Sequence, residues 1–198
     1  MEIFKVTQIT EADYGCEETG RKEPVACLKL LSDADEEKHV EVSECELQEK
    51  GITEGKKVCF AEDGSILKYI RVVAAVIRDE DKIFATARGY GEFKGWWEFP
   101  GGKIEVGETP EQALAREIRE ELTAVISVGK LIHTIEYNYP KFHLSMDCFW
   151  AEIESGKLVL KEAEAAKWLS LADIDSVNWL PADQELVEKI KQELSTCK

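Results

Sequence analysis

Three glutamates, Glu117, Glu120 and Glu121, lie three and four positions apart near the middle of the chain. On a helix that spacing gathers their carboxylates on one face. Like charges so placed cost an isolated helix about 0.2–0.5 kcal/mol per pair. A divalent cation would reverse the sign, because hard ions such as Mg²⁺ take oxygen ligands and act beside substrate phosphates. Three glutamates alone describe a solvated acidic face, but their neighbours shift the balance. Gly101 and Gly102 let backbone approach a ligand closely, and Lys103 and Arg116 place cations beside the acids.

The elements that must position these groups are a tight loop and a short helix. Thr109 suits an N-cap, Pro110 the first helical position, and Gln112 the reciprocal place in a capping box. Leu114, Ile118 and Leu122 recur at i, i+4 and i+8, which gives the helix one apolar face.

The stretch Gly102, Glu108, Arg116-Glu117, Ile118, Glu120-Glu121 resembles the Nudix box at every polar position. One position departs: Thr123, followed by Ala124, stands where the motif has glycine. Helices often end in the left-handed region, which a β-branched residue tolerates poorly, so the loop after the helix is expected to depart from the motif's geometry. The resemblance implies an α/β fold, a Nudix α/β/α sandwich with a mixed sheet. It also implies Mg²⁺, or Mn²⁺ in its place, held by Glu117, Glu120 and Glu121 with the Gly101 carbonyl. Glu108 and Arg116 would orient that helix, with Gly102 a structural part of the motif.

The flanks are similar to MutT-type members of the family. Trp97-Glu98-Phe99-Pro100-Gly101-Gly102-Lys103-Ile104-Glu105 carries the likeness, as do Glu136-Tyr137-Asn138-Tyr139-Pro140 and Leu180-Pro181-Ala182-Asp183. On that resemblance Arg88 and Lys103 face the nucleotide, Phe99 and Tyr139 wall the base, and Asp183 reads the base edge. The bland readings are that Asp183 caps the last helix and that the aromatics are core. A further acid, as metal ligand or general base, is Glu162 or Glu164; alignment on Trp168-Leu169-Ser170 favours Glu162.

The 198 residues carry a net charge of −15, with 44% hydrophobic content, enough for one large domain or two small ones. Acidity and the lack of a Lys/Arg cluster argue against duplex nucleic acid as a partner. A triphosphate would be repelled too unless metal ions reset the local field. The chain has no run of about 18 apolar residues to span a membrane, and its first residues do not read as a signal peptide. Six scattered cysteines without a C-x-x-C pair read as free thiols, so the expected compartment is the cytoplasm.

Residues 1–69 read as a separate unit. Short β-leaning runs at Phe4–Ile9, Val25–Leu31, His39–Val42, Lys57–Phe60 and Ile66–Ile70 suggest a small, mostly-β barrel-like domain. The turn at Tyr14-Gly15 falls between the first two. His39 reads as a surface histidine on an edge strand. Oligomerisation or docking is the expected role, including a homo-oligomer. Residues 70–198 form the second domain, with strands at Val72–Ile77, Lys82–Ala87, Val128–Tyr137, His143–Ile153 and Lys167–Leu169, and a helix over Ala182–Leu194.

The MutT resemblance implies a Mg²⁺-dependent hydrolase that splits a nucleoside triphosphate into monophosphate and pyrophosphate. Nucleotide-pool sanitation is the favoured setting, with 8-oxo-dGTP or a similar modified dNTP as substrate. Two alternatives stand beside it: a non-catalytic nucleotide sensor, and a hydrolase of nucleoside diphosphate conjugates.

Overall fold

The computed structural model describes residues 1–11 and 24–196. The Tyr14-Gly15 turn, Cys16 and Cys197 lie outside the described residues. In chain order the elements are β1 (Phe4–Glu11), β2 (Val25–Ser32), β3 (Glu37–Ser43), α1 (Glu44–Lys50), β4 (Lys57–Phe60), β5 (Ile66–Asp79), β6 (Lys82–Ala87) and β7 (Trp97–Glu98). There follow β8 (Gly101–Lys103), α2 (Pro110–Leu122), β9 (Val125–Asn138), β10 (Phe142–Ser155), β11 (Ala165–Ser170) and α3 (Pro181–Thr196). Among the described residues no helix is long and apolar enough to cross a membrane.

Contacts group the chain into two units, Met1–Ile70 with Tyr137–Leu144, and Arg71–Glu136 with Ser145–Lys198. In the first, β3, β2, β1, β4 and the start of β5 pair in that order, and the ladders with assigned register are antiparallel. Its core is Phe4, Val6, Leu28, Leu30, Val58 and Ile66, with Leu47 of α1 beside them. The sequence reading passed over α1, a seven-residue helix too short to show periodicity. Local chemistry defines it instead: Ser43 accepts from Glu46 N at its start, and Gly51 closes it in the left-handed region. His39 is exposed on β3, which among the described residues pairs with β2.

The expected barrel is corrected. The N-terminal ladder is open, and it passes into the sheet through β5 rather than closing on itself. The two runs Ile66–Ile70 and Val72–Ile77 form one 14-residue strand. Its first residues pair with β4, and its later ones pair with β8 and β6. No glycine, proline or turn residue interrupts Ile66–Asp79, so the chain has no local reason to break there.

In the second unit β11 pairs with β6, and β7 with β6. Antiparallel ladders together with a parallel Trp97↔Trp179 bridge make the sheet mixed. The core gathers Val73, Ala75, Ile77, Phe84, Leu114, Ile118, Leu122 and Phe149. Burying each of the larger aliphatic side chains contributes about 1.5–3 kcal/mol. Because Leu114, Ile118 and Leu122 all enter this core, the rotation of α2 is fixed, and its carboxylates are held on the other side.

Candidate active site

α2 starts as its sequence dictates. The Thr109 hydroxyl accepts from Gln112 N (3.3 Å), and Gln112 Oε1 accepts from Thr109 N (3.0 Å), closing a capping box ahead of Pro110. It ends at Thr123, which takes the left-handed conformation (φ 55°) in spite of its branched Cβ. The expected departure of the loop is therefore corrected: Thr123 makes the left-handed turn the motif gives to glycine. Its hydroxyl donates to Leu122 O (2.7 Å) and Lys157 O (3.3 Å), which offsets part of the strain.

The acidic face looks onto β8. A Cβ on Gly102 would come within 2.6 Å of Glu117 Oε1, so glycine is what lets that carboxylate lie against the strand. Around this point opens a cleft of about 480 Å³. Glu98, Glu105, Glu117, Glu120, Glu121 and Glu162 line it, together with Arg88, Lys103, Arg116, Tyr90, Thr86, Gly101 and Gly102.

Arg116 is consumed inside this cluster. Its guanidinium donates to Glu108 through Nε (2.7 Å) and Nη2 (2.8 Å), to Glu117 (2.9 Å) and Glu120 (3.3 Å), and to the Lys103 carbonyl (3.0 Å). These bonds raise its own pKa and, with the Glu105 N–H, hold Glu108 at about 2. Glu121 behaves oppositely. Burial first, then the charges of Glu117, Glu98 and Glu162, push it to about 7 against the pull of the Gly101 N–H. Burial likewise raises Glu98, although Arg88 lies 3.6 Å away.

The residues fit a hard cation on this ground: several oxygen donors converge with more negative charge than Arg88 and Arg116 offset, and the deepest resists ionisation. Glu117, Glu120, Glu121, Glu162 and the Gly101 carbonyl are the donors on hand. Among the described residues, no group of three His, Cys, Asp or Glu side chains is yet close enough to hold an ion.

Glu162 and Glu164 part company. Glu162 lines the cleft and accepts from the Tyr90 hydroxyl (3.2 Å), whereas Glu164 faces Lys94 (3.9 Å). Phe99, Tyr139 and Asp183 do not line the cleft. Phe99 is buried and stacks on Trp179 at 4.7 Å. Tyr139 belongs to the first unit, buried and stacked on Phe142 at 4.8 Å. Asp183, only 4% exposed, sits in the first turn of α3 and accepts from Phe99 N (3.0 Å), while burial pushes it to about 7. Tyr90 and Glu98 are cleft residues that sequence reasoning left unassigned. The signal for Tyr90 was the glycine spacing of the 89–95 loop, which sets this aromatic between Gly89 and Gly91.

This fold agrees with comparison to known proteins. The model of the NUDIX domain matches residues 68–190, and the chain belongs to the Nudix hydrolase family. Enzymes of this family typically use divalent metal ions. Over 128 residues the chain is 34% identical to the 8-oxo-dGTP diphosphatase of Escherichia coli (strain K12), covering 64% of this chain and 99% of that protein. It is also 34% identical to the CTP pyrophosphohydrolase of the same organism, covering 62% of this chain and 91% of the relative. The solution structure of the E. coli ORF135 protein superposes with a TM-score of 0.56 at 32% identity, over 63% of this chain and 89% of that one.

Proposed function

We propose that this enzyme is a Mg²⁺-dependent nucleoside triphosphate pyrophosphohydrolase that releases a monophosphate and pyrophosphate, with an oxidised nucleotide such as 8-oxo-dGTP as its substrate. The observation that carries the reading is the convergence of Glu117, Glu120, Glu121 and Glu162 on one cleft beside Arg88 and Lys103. The relatives named for 8-oxo-dGTP and CTP support the triphosphate class.

Glu117, Glu120 and Glu121, with the Gly101 carbonyl and Glu162, would hold the metal. Bound there, Mg²⁺ or Mn²⁺ would neutralise the polyphosphate and favour ionisation of the attacking water. Water attacks the β-phosphorus, the bond to the α-phosphate oxygen breaks, and the monophosphate leaves. Where it does not ligate the metal, Glu162 would serve instead as the general base that takes the water's proton. Arg88 and Lys103 pair with the phosphates, and Arg116, locked by Glu108, keeps the α2 carboxylates in register. A sensor without catalysis would have no use for so complete a carboxylate set.

The test is a panel of canonical and oxidised nucleoside triphosphates with Mg²⁺, followed by pyrophosphate release. Faster turnover of the oxidised guanine nucleotide than of dGTP is expected. Release of inorganic phosphate alone, or no release from any triphosphate, would overturn the reading.

A further inference from the structure

Tyr90 has no part in the chemistry above, yet its placement is specific. It follows β6 by three residues, is 57% exposed, and turns its hydroxyl onto Oε2 of Glu162 at 3.2 Å. An exposed loop tyrosine ordinarily sends that hydroxyl into water. This ring also lies 5.9 Å from the Arg88 guanidinium carbon, between a cation and a carboxylate of the same cleft.

The backbone is shaped for this contact. A Cβ on Gly89 would come within 2.6 Å of the Glu162 carbonyl oxygen, so the two loops pass this closely because residue 89 is glycine. Glu164 N donates to Ala87 O (3.0 Å), and Lys94 lies 3.9 Å from the Glu164 carboxylate. At its other end the 161–164 segment is tied to α2, where Lys161 N donates to Glu121 O (3.1 Å). The backbone of the segment is thereby fixed on two sides, while the Glu162 side chain is exposed and has rotamers to spare. The acidic lining that Glu162 shares with Glu105, Glu117 and Glu120 favours the rotamers that point away from the cleft. A hydroxyl donor on the cleft side opposes that drift.

The geometry points to Tyr90 as a positioning residue, whose hydroxyl holds the Glu162 carboxylate at the acidic cleft before substrate arrives. This rests on the cleft being the hydrolytic site and adds a residue to it. Tyr90 acts through Glu162 and needs no contact with the substrate. Its loss is therefore expected in the rate of the bound complex rather than in binding.

Tyr90→Phe keeps the ring and removes the donor. With the best nucleotide of the panel and Mg²⁺, kcat should fall about tenfold with KM unchanged. Adding Tyr90→Phe to Glu162→Gln should then cost little more than Glu162→Gln alone, since both changes strike one unit. In the metal-free full chain, side-chain scalar couplings of Glu162 should show more rotamer averaging in Tyr90→Phe than in the wild type, at an unchanged Tm. An unaltered kcat, a loss carried by KM, or losses that multiply in the double variant would overturn the assignment. So would unaltered Glu162 couplings. If the wild type hydrolyses no nucleotide, the functional reading falls, and the coupling measurement alone decides whether Tyr90 holds Glu162.

Discussion

Glu121 carries the sharpest electrostatic conflict in the cleft. Buried among Glu98, Glu117 and Glu162, it keeps its proton up to about pH 7, so an ion bound there must displace that proton. Mn²⁺ affinity, followed by electron paramagnetic resonance, should therefore weaken as pH falls below about 7. Glu121→Gln should flatten that dependence and lower turnover by about a hundredfold or more. Near-normal pyrophosphate release from Glu121→Gln would remove it from the metal set. Asp183 presents a different case, with consequences for stability. Its folded pKa, about 7, lies above the ~3.9 of an unfolded aspartate, so the native state binds the extra proton. The stability this confers is complete below about pH 4 and is lost as pH rises through about 7. Asp183→Asn keeps an oxygen for the Phe99 N–H and never ionises. Urea unfolding should show it gaining on the wild type between about pH 5 and pH 8, by on the order of a few kcal/mol. An equal offset at both pH values would mean that Asp183 does not titrate in this range.

At the level of elements, α2 shows how far local rules reach. The capping box at Thr109 and Gln112 and the apolar face of Leu114, Ile118 and Leu122 were legible because each lies within a few residues of its partner. Its C-terminus was less so. Thr123 takes a conformation that costs an L-residue about 1–2 kcal/mol, a cost a glycine escapes while losing more chain entropy on folding. Thr123→Gly should accordingly raise stability by about 1 kcal/mol or less, read from the urea midpoint, and leave hydrolysis unchanged. A destabilised variant would show that the bonds to Leu122 O and Lys157 O outweigh the backbone strain.

For the whole molecule, the grouping of Tyr137–Leu144 with Met1–Ile70 bears on any truncation. Within that unit Tyr69 stacks on His143 at 5.7 Å, and Asn138 accepts or donates to the same ring. A fragment beginning at Ile70 loses Tyr69, β4 and the Ile66–Lys68 part of β5 that pairs with β4. It is expected to hydrolyse nucleotide, because every cleft residue lies at or after Val72, but with a lower Tm than the full chain. Thermal unfolding beside pyrophosphate release would check both halves of that expectation. Sedimentation of the same pair would show whether residues 1–69 make an oligomer; one and the same mass per chain count for both would remove the oligomerisation role.

The sequence by itself determined the family motif, the capped helix that carries it, most of the strands, and the acid-rich chemistry of Glu117, Glu120 and Glu121. These rest on caps, periodicity and spacing, which act over one or two turns of chain. Tertiary structure alone decided which groups meet. Glu162 rather than Glu164 lines the cleft because backbone bonds to Ala87 O and Glu121 O, both distant in sequence, set the course of that loop. Asp183 is held by Phe99 N, 84 residues away, and so is turned inward. The open N-terminal ladder was likewise decided by pairing, since β-leaning runs state that strands form but not which edges join. Strand partners are selected by burial and register across the whole chain, and no local spacing records that choice.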